Sequence, residues 1–185
     1  MVEASCKVMG NIVDQLAGGD RRSLGRANTV VKEILRDPKL FSLVFEAMLH
    51  DDPVVRMRAA DAIEKVTVIR PELLQAHKRK LLGKVAAQEQ QELRWHVALM
   101  LPRLRLTPKE RNHAVAILFD YLENKSSIVK TFAMQSLADF AMQDRRLSAR
   151  VVPILTHLTD TGTPALQGRG RKLLKVLGAE ADRDG

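Results

Sequence analysis

The stretch 52–66 reads Asp-Pro-Val-Val-Arg-Met-Arg-Ala-Ala-Asp-Ala-Ile-Glu-Lys-Val, with apolar or small residues at Val55, Ala59, Ala62, Ile63 and Val66. That spacing marks one face of an α-helix. The pattern recurs at Leu93, Val97, Met100, Leu101 and Leu104, and again at Val129, Ala133, Ser136, Leu137 and Phe140. Looser copies are Ala27, Val30, Val31 and Ile34 near one end and Leu166, Gly170, Leu173, Leu174 and Leu177 near the other. Aligned on Ala27, Ala59, Val97, Ala133 and Gly170, the copies step by 32, 38, 36 and 37 residues. Five units of about 37 residues therefore account for the chain.

Each copy follows a second amphipathic segment, at roughly 4–17, 38–50, 71–86, 108–122 and 147–158, and each pair predicts a helical hairpin. Pro38, Pro71 and Pro108 take first helical positions after Asp37, Arg70 and Thr107, where a missing N–H costs no hydrogen bond. The second helices are expected to start after Asp20, Asp52, Gln88, Lys125 and Thr163, with Asp20, Asp52, Ser126 and Thr163 as side-chain caps. Pro102 and Pro153 sit inside helical patterns and predict a kink or an early stop. No stretch alternates with the period of a strand, so the expected fold is all-α.

The motif Val55-Arg56-x-x-Ala59-x-x-Ala62-Ile63, behind the turn residue Asp52, resembles that of HEAT and HEAT-like repeats. Leu93-Arg94-x-x-Val97-x-x-Met100-Leu101 and Val129-Lys130-x-x-Ala133-x-x-Ser136-Leu137 carry it on. The resemblance implies a right-handed α-α superhelix, an α-solenoid of about five hairpins in one domain over residues 1–177. Its units run at about 4–36, 37–69, 70–106, 107–143 and 144–177, and 178–185 is expected to be a disordered tail. The end units depart from the motif, with Ser23-Leu24 and Leu166-Gln167 at the Val-Arg positions, as capping repeats do, so a complete small stack is expected. Architecture of this kind says little about function.

In such a stack the second helices line the concave side. If Val55, Ala59, Ala62, Ile63 and Val66 face inward, Met57, Asp61 and Glu64 point outward, as do Trp95, Leu99 and Pro102 one unit on, and Thr131, Gln135 and Ala138 after that. Trp95 is the sole tryptophan, and with Leu99 one turn away it is a candidate anchor for a ligand. A register shift of one or two residues instead puts Trp95 in the core, where large aromatics mostly lie. His96 reads either as a surface or cap residue or as a contact beside Trp95. Arg56, Arg58, Arg94, Arg103, Lys130 and Lys172 flank the groove as candidate binding residues. Arg56, Arg94 and Lys130 occupy one equivalent position, and the resemblance implies that such residues also bond turn acids, here Asp52.

Charge sharpens the picture. Among 185 residues, 30 Lys and Arg stand against 22 Asp and Glu, a net +8 and a pI near 9.9, so the surface attracts anions. Cys6 is alone and has no disulfide partner, and no apolar run nears the roughly 20 residues of a membrane span, so a monomer in a reducing cytoplasm is expected. His50, His77, His113 and His157 are scattered and no Cys-x2-Cys spacing exists, so no metal is expected. There is no phosphate loop, nucleophile elbow or Ser-His-Asp order, hence no cofactor and no catalytic residue. HEAT-like alkylpurine DNA glycosylases use cleft aromatics and a catalytic Asp, whereas here Leu99 holds the place one turn from Trp95.

The sequence thus predicts a non-enzymatic HEAT-repeat scaffold that binds an acidic protein or peptide segment on a basic concave face. The alternative is a DNA- or RNA-backbone binder related to those glycosylases but without catalysis.

Overall fold

The computed structural model describes residues 12–19 and 23–181, with side chains to Gly178. Cys6, the Asp20 cap, the start of the first segment and tail residues 182–185 lie outside the described residues. The fold is all-helical, with no strand among the described residues. Two compact units divide at Arg105/Leu106, between the third and fourth expected hairpins.

The first unit holds α1 (Ala27–Arg36), α2 (Phe41–Glu46), α3 (Pro53–Ile69), α4 (Lys78–Lys80) and α5 (Gln91–Met100). Short 3-10 turns flank α2 at Pro38–Leu40 and Ala47–Leu49, and a 3-10 stretch, Pro71–His77, leads into α4. Beyond α4, Leu81–Val85 winds as a wider π turn, closed by the bond from Ala86 N to the Leu81 carbonyl at 3.1 Å. In the second unit, α6 (Pro108–Leu122) pairs with α7 (Ser127–Gln143), and α8 (Ser148–Thr161) with α9 (Pro164–Ala181).

The punctuation residues act much as their chemistry dictates. Asp37 and Asp52 accept from Lys39 N and Val54 N ahead of Pro38 and Pro53. Thr107 forms a reciprocal capping box with Glu110. Ser126 sits at the expected cap but makes no side-chain cap bond, and α5 starts after Gln90 rather than Gln88. Pro102 ends α5 in a 3-10 turn, whereas Pro153 is accommodated inside α8. The last helix continues past Gly178 to Ala181, through residues with good helix propensity such as Ala179 and Ala181.

Within each unit the second helices pack side by side: α3 touches α1 and α5, and α9 touches α7. All five inward positions of each central copy are buried: 55, 59, 62, 63 and 66; 93, 97, 100, 101 and 104; 129, 133, 136, 137 and 140. Within each unit, polar side chains tie successive hairpins together at one-unit separations. Lys65 Nζ reaches Asn28 Oδ1 at 2.8 Å, Ser42 pairs with His77 at 3.1 Å, and Lys80 Nζ reaches Glu46 at 2.5 Å. In the second unit Arg111 bonds Asp144 at 2.9 Å and Arg169 bonds Gln135 at 2.8 Å.

Helix α3 departs from the one-stripe expectation. Met57 and Asp61, expected to point outward, are 5% and 6% exposed, because α1, α5 and the 38–49 segment cover α3 on several sides. Ala138 on α7 is buried for a like reason, with α6 and α9 both packed on its helix.

Arg58 is the largest fully buried side chain, at 2% exposure. Its Nη1 donates to the Leu16 and Gly18 carbonyls at 2.8 and 2.5 Å, and its Nε to the Ser23 carbonyl at 3.0 Å. Gly25, at φ +50°, makes room for it: a Cβ there would meet Arg58 Cζ at 2.8 Å. We expect Arg58→Met to lower unfolding free energy by about 3 kcal/mol or more, since several buried carbonyls lose their donor, and Arg58→Lys to recover little because an ammonium lacks the fork. Urea denaturation measures both, and a loss under about 1 kcal/mol for Arg58→Met contradicts this account.

Two glycines of α9 should respond oppositely to the same change. A Cβ on buried Gly170 would collide with Thr159 Oγ1 and lie 3.2 Å from Met134 Cε, whereas one on Gly168 meets open space. Gly168→Ala should stabilise by about 0.5–1 kcal/mol and Gly170→Ala destabilise by about 1–3 kcal/mol. Thermal denaturation of the pair tests this, and equal signs refute it.

Candidate functional site

The face of the first unit formed by α1, α3 and α5 gathers most of the residues that the sequence singles out. From α5 come Trp95, His96 and Leu99, all half-buried. Neither reading of Trp95 holds in full, since the ring is neither in the core nor fully open. Its centroid lies 5.6 Å from that of His96, at an interplanar angle of 58°.

His96 turns toward α3, where Asp61, Glu64 and Lys65 lie close enough to act on its charge, together with Arg103. Its Nδ1 is shielded from solvent and has no hydrogen-bond partner. Burial pushes the His96 pKa below its ordinary value; Asp61 and Glu64 push it back up, and Lys65 and Arg103 reinforce the fall. The imidazole is therefore neutral near pH 7, with an unused ring nitrogen beside an indole.

The cations of this face are largely engaged. Asp61 holds Lys65 at 2.7 Å, and Lys65 bridges to Asn28. Arg103 donates to the Glu64 carbonyl at 2.7 Å and Thr67 Oγ1 at 2.8 Å, and pairs with the Glu64 carboxylate. Lys65 and Arg103 stand at equivalent places after Ala59 and Val97, and each reaches back to the preceding second helix. Sequence reading found Arg103 but missed Lys65, Asn28 and Thr67; that shared offset was the available signal.

Four of the expected binding cations make hydrogen bonds within the unit. Arg58 is corrected from a groove residue to a buried one, as its carbonyl cage requires. Arg56 Nη1 donates to the His50 and Asp51 carbonyls at 2.7 and 3.0 Å, and its Nε to Gln90 Oε1 at 2.8 Å. Gln90 in turn donates to the Pro53 carbonyl at 2.8 Å, closing the link between successive turns. The expected partner Asp52 instead caps α3. Arg94 Nε bonds the Gln88 carbonyl at 2.8 Å, and Arg103 bridges two helices as described. Lys130, half-buried on α7, and Lys172, exposed on α9, belong to the second unit. The exposed cations on the first unit's α1 are Lys32 and Arg36, with Arg26 just before the helix.

No group of three or more His, Cys, Asp and Glu side chains among the described residues is arranged to hold a metal ion. No described helix is long and apolar enough to cross a membrane.

No family model matches the chain, and no curated protein matches it. Among solved structures, the crystal structure of an engineered protein from the Northeast Structural Genomics Consortium is similar, with a TM-score of 0.62 and 16% sequence identity. The match covers 95% of this chain and 81% of that one. At that identity the likeness concerns the fold alone, a packed array of helices.

The His96 environment sets a pH dependence. A histidine whose folded pKa lies below its unfolded value of about 6.5 takes up a proton more readily when unfolded, so stability is full above that pH and falls as pH drops through it. His77, lowered chiefly by burial, contributes in the same direction. We expect the urea midpoint to fall between roughly pH 7.5 and 5.5, and His96→Gln to flatten part of that fall. An unchanged slope in His96→Gln contradicts the assignment.

Proposed function

We propose that this chain is a non-enzymatic interaction scaffold of the HEAT-like, α-solenoid kind. It binds a protein or peptide segment over the α1–α3–α5 face of its first unit, with Trp95 and Leu99 as the anchor. The reading rests chiefly on the half-buried Trp95 beside the shielded, unpartnered Nδ1 of His96. An aromatic with one open side and a neighbouring polar atom lacking a partner is a common form of contact hot spot. The solenoid part of the proposal is supported by the repeat motif and by the side-chain links at one-unit spacing within each unit.

The segment is proposed to be acidic, meeting Lys32 and Arg26 at the α1 edge, in keeping with the net charge of +8. The alternative, a phosphate-backbone ridge, has less support in the geometry, because Arg56, Arg94 and Arg103 already donate to carbonyls or to Glu64.

The test uses the emission of Trp95, titrated with polyglutamate and with short duplex DNA at low and moderate salt. A quenchable Trp95 whose emission shifts with polyglutamate, less so at higher salt, supports the proposal. In parallel, Trp95→Ala should weaken binding of labelled polyglutamate by about 2 kcal/mol while leaving the thermal midpoint nearly unchanged. Unaltered affinity with a core-sized loss of stability would falsify the site, and a response to DNA alone would transfer the face to nucleic acid.

A further inference from the structure

The last hairpin carries a different surface. Between residues 144 and 178 the chain has seven basic residues and two acidic ones, Asp144 and Asp160. Asp144 is already held by Arg146 at 2.8 and 2.9 Å and by Arg111 at 2.9 Å, and Arg146 above all keeps its carboxyl well below the usual carboxylate range. Arg169 is bound to Gln135, and Arg150 lies over the Phe119 ring at 5.4 Å. On α9, Arg171, Lys172 and Lys175 are exposed and fall along one stripe of the helix.

Beside that stripe runs an apolar one. Leu174, Leu177 and Gly178 of α9 join Val152, Ser148 and Arg145 around a groove of about 440 Å³. An apolar trough edged by a line of cations is complementary to a helix whose apolar stripe adjoins a line of carboxylates.

We propose that the α8–α9 groove docks an acidic amphipathic helix of a protein partner. Its apolar side chains enter between Val152, Leu174 and Leu177, and its carboxylates meet Arg171 and Lys175, which edge the groove. This surface stands apart from the Trp95 reading: it lies in the second unit and neither supports nor requires a ligand at Trp95.

The probe is a fluorescein-labelled peptide of about 16 residues, some four helical turns, built from Glu, Ala and Leu with Leu at i, i+3, i+4 and i+7. The control peptide has the same composition with its Leu residues spread around the helix. Anisotropy titrations of the full chain should show the patterned peptide binding roughly tenfold or more tightly than the control. Leu174→Asp should remove that difference. Arg171→Glu combined with Lys175→Glu, at exposed positions where folding is undisturbed, should weaken binding by a similar factor. Trp95→Phe should leave it unchanged.

Equal binding of both peptides overturns the proposal, because charge alone then accounts for it. A short DNA duplex that binds more tightly than the patterned peptide, and is insensitive to Leu174→Asp, assigns the surface to nucleic acid. A dimer in sedimentation that Leu174→Asp dissociates assigns the groove to a second copy of the chain.

Discussion

A two-helix hairpin covers only part of its own apolar surface, and the hairpins of this chain are therefore completed by their neighbours. Helix α3 shows the constraint at its strongest. With α1 on one side, α5 on the other and the 38–49 segment behind, it buries Met57, Arg58 and Asp61 as well as its apolar stripe. The polar groups caught there must find partners, because burying them unbonded costs kilocalories. Arg58 finds carbonyls, and Asp61 finds Lys65.

That requirement also explains why so many cations of the first unit are not free to meet a ligand. Backbone carbonyls left over at turns and helix ends need donors. A guanidinium, with five N–H groups in a rigid fork, can serve several at once. Arg56 and Arg58 do this, while Arg94 and Arg103 each donate to a carbonyl, so a net charge of +8 overstates the positive potential available on the α3–α5 face. Exposed cations remain on α1, at Lys32 and Arg36, and on α9, at Arg171, Lys172 and Lys175.

The helix boundaries were legible because they depend on local chemistry. Prolines, caps and the stripe of inward residues place the helices within a few positions, as the capping box at Thr107 and the Asp52 cap illustrate. The outward positions were less legible. A single stripe assumes one covering neighbour, and α3 has several, so Met57 and Asp61 were misplaced where Glu64 was not. Arg58 was opaque for another reason: its acceptors are main-chain carbonyls in the loop ending at Gly25, and residue type carries no trace of them.

The spacing of the side-chain bridges bears on how the chain acquires its structure. Within each unit several of them join a hairpin to its immediate predecessor: Asn28 to Lys65, Glu46 to Lys80, Gln135 to Arg169. Closing such a loop carries a similar entropic cost at every step, since that cost varies only slowly with loop length. Assembly can then proceed by addition, each new hairpin docking on a finished surface as it leaves the ribosome. Links between sequence-adjacent hairpins make for low contact order, which favours fast folding.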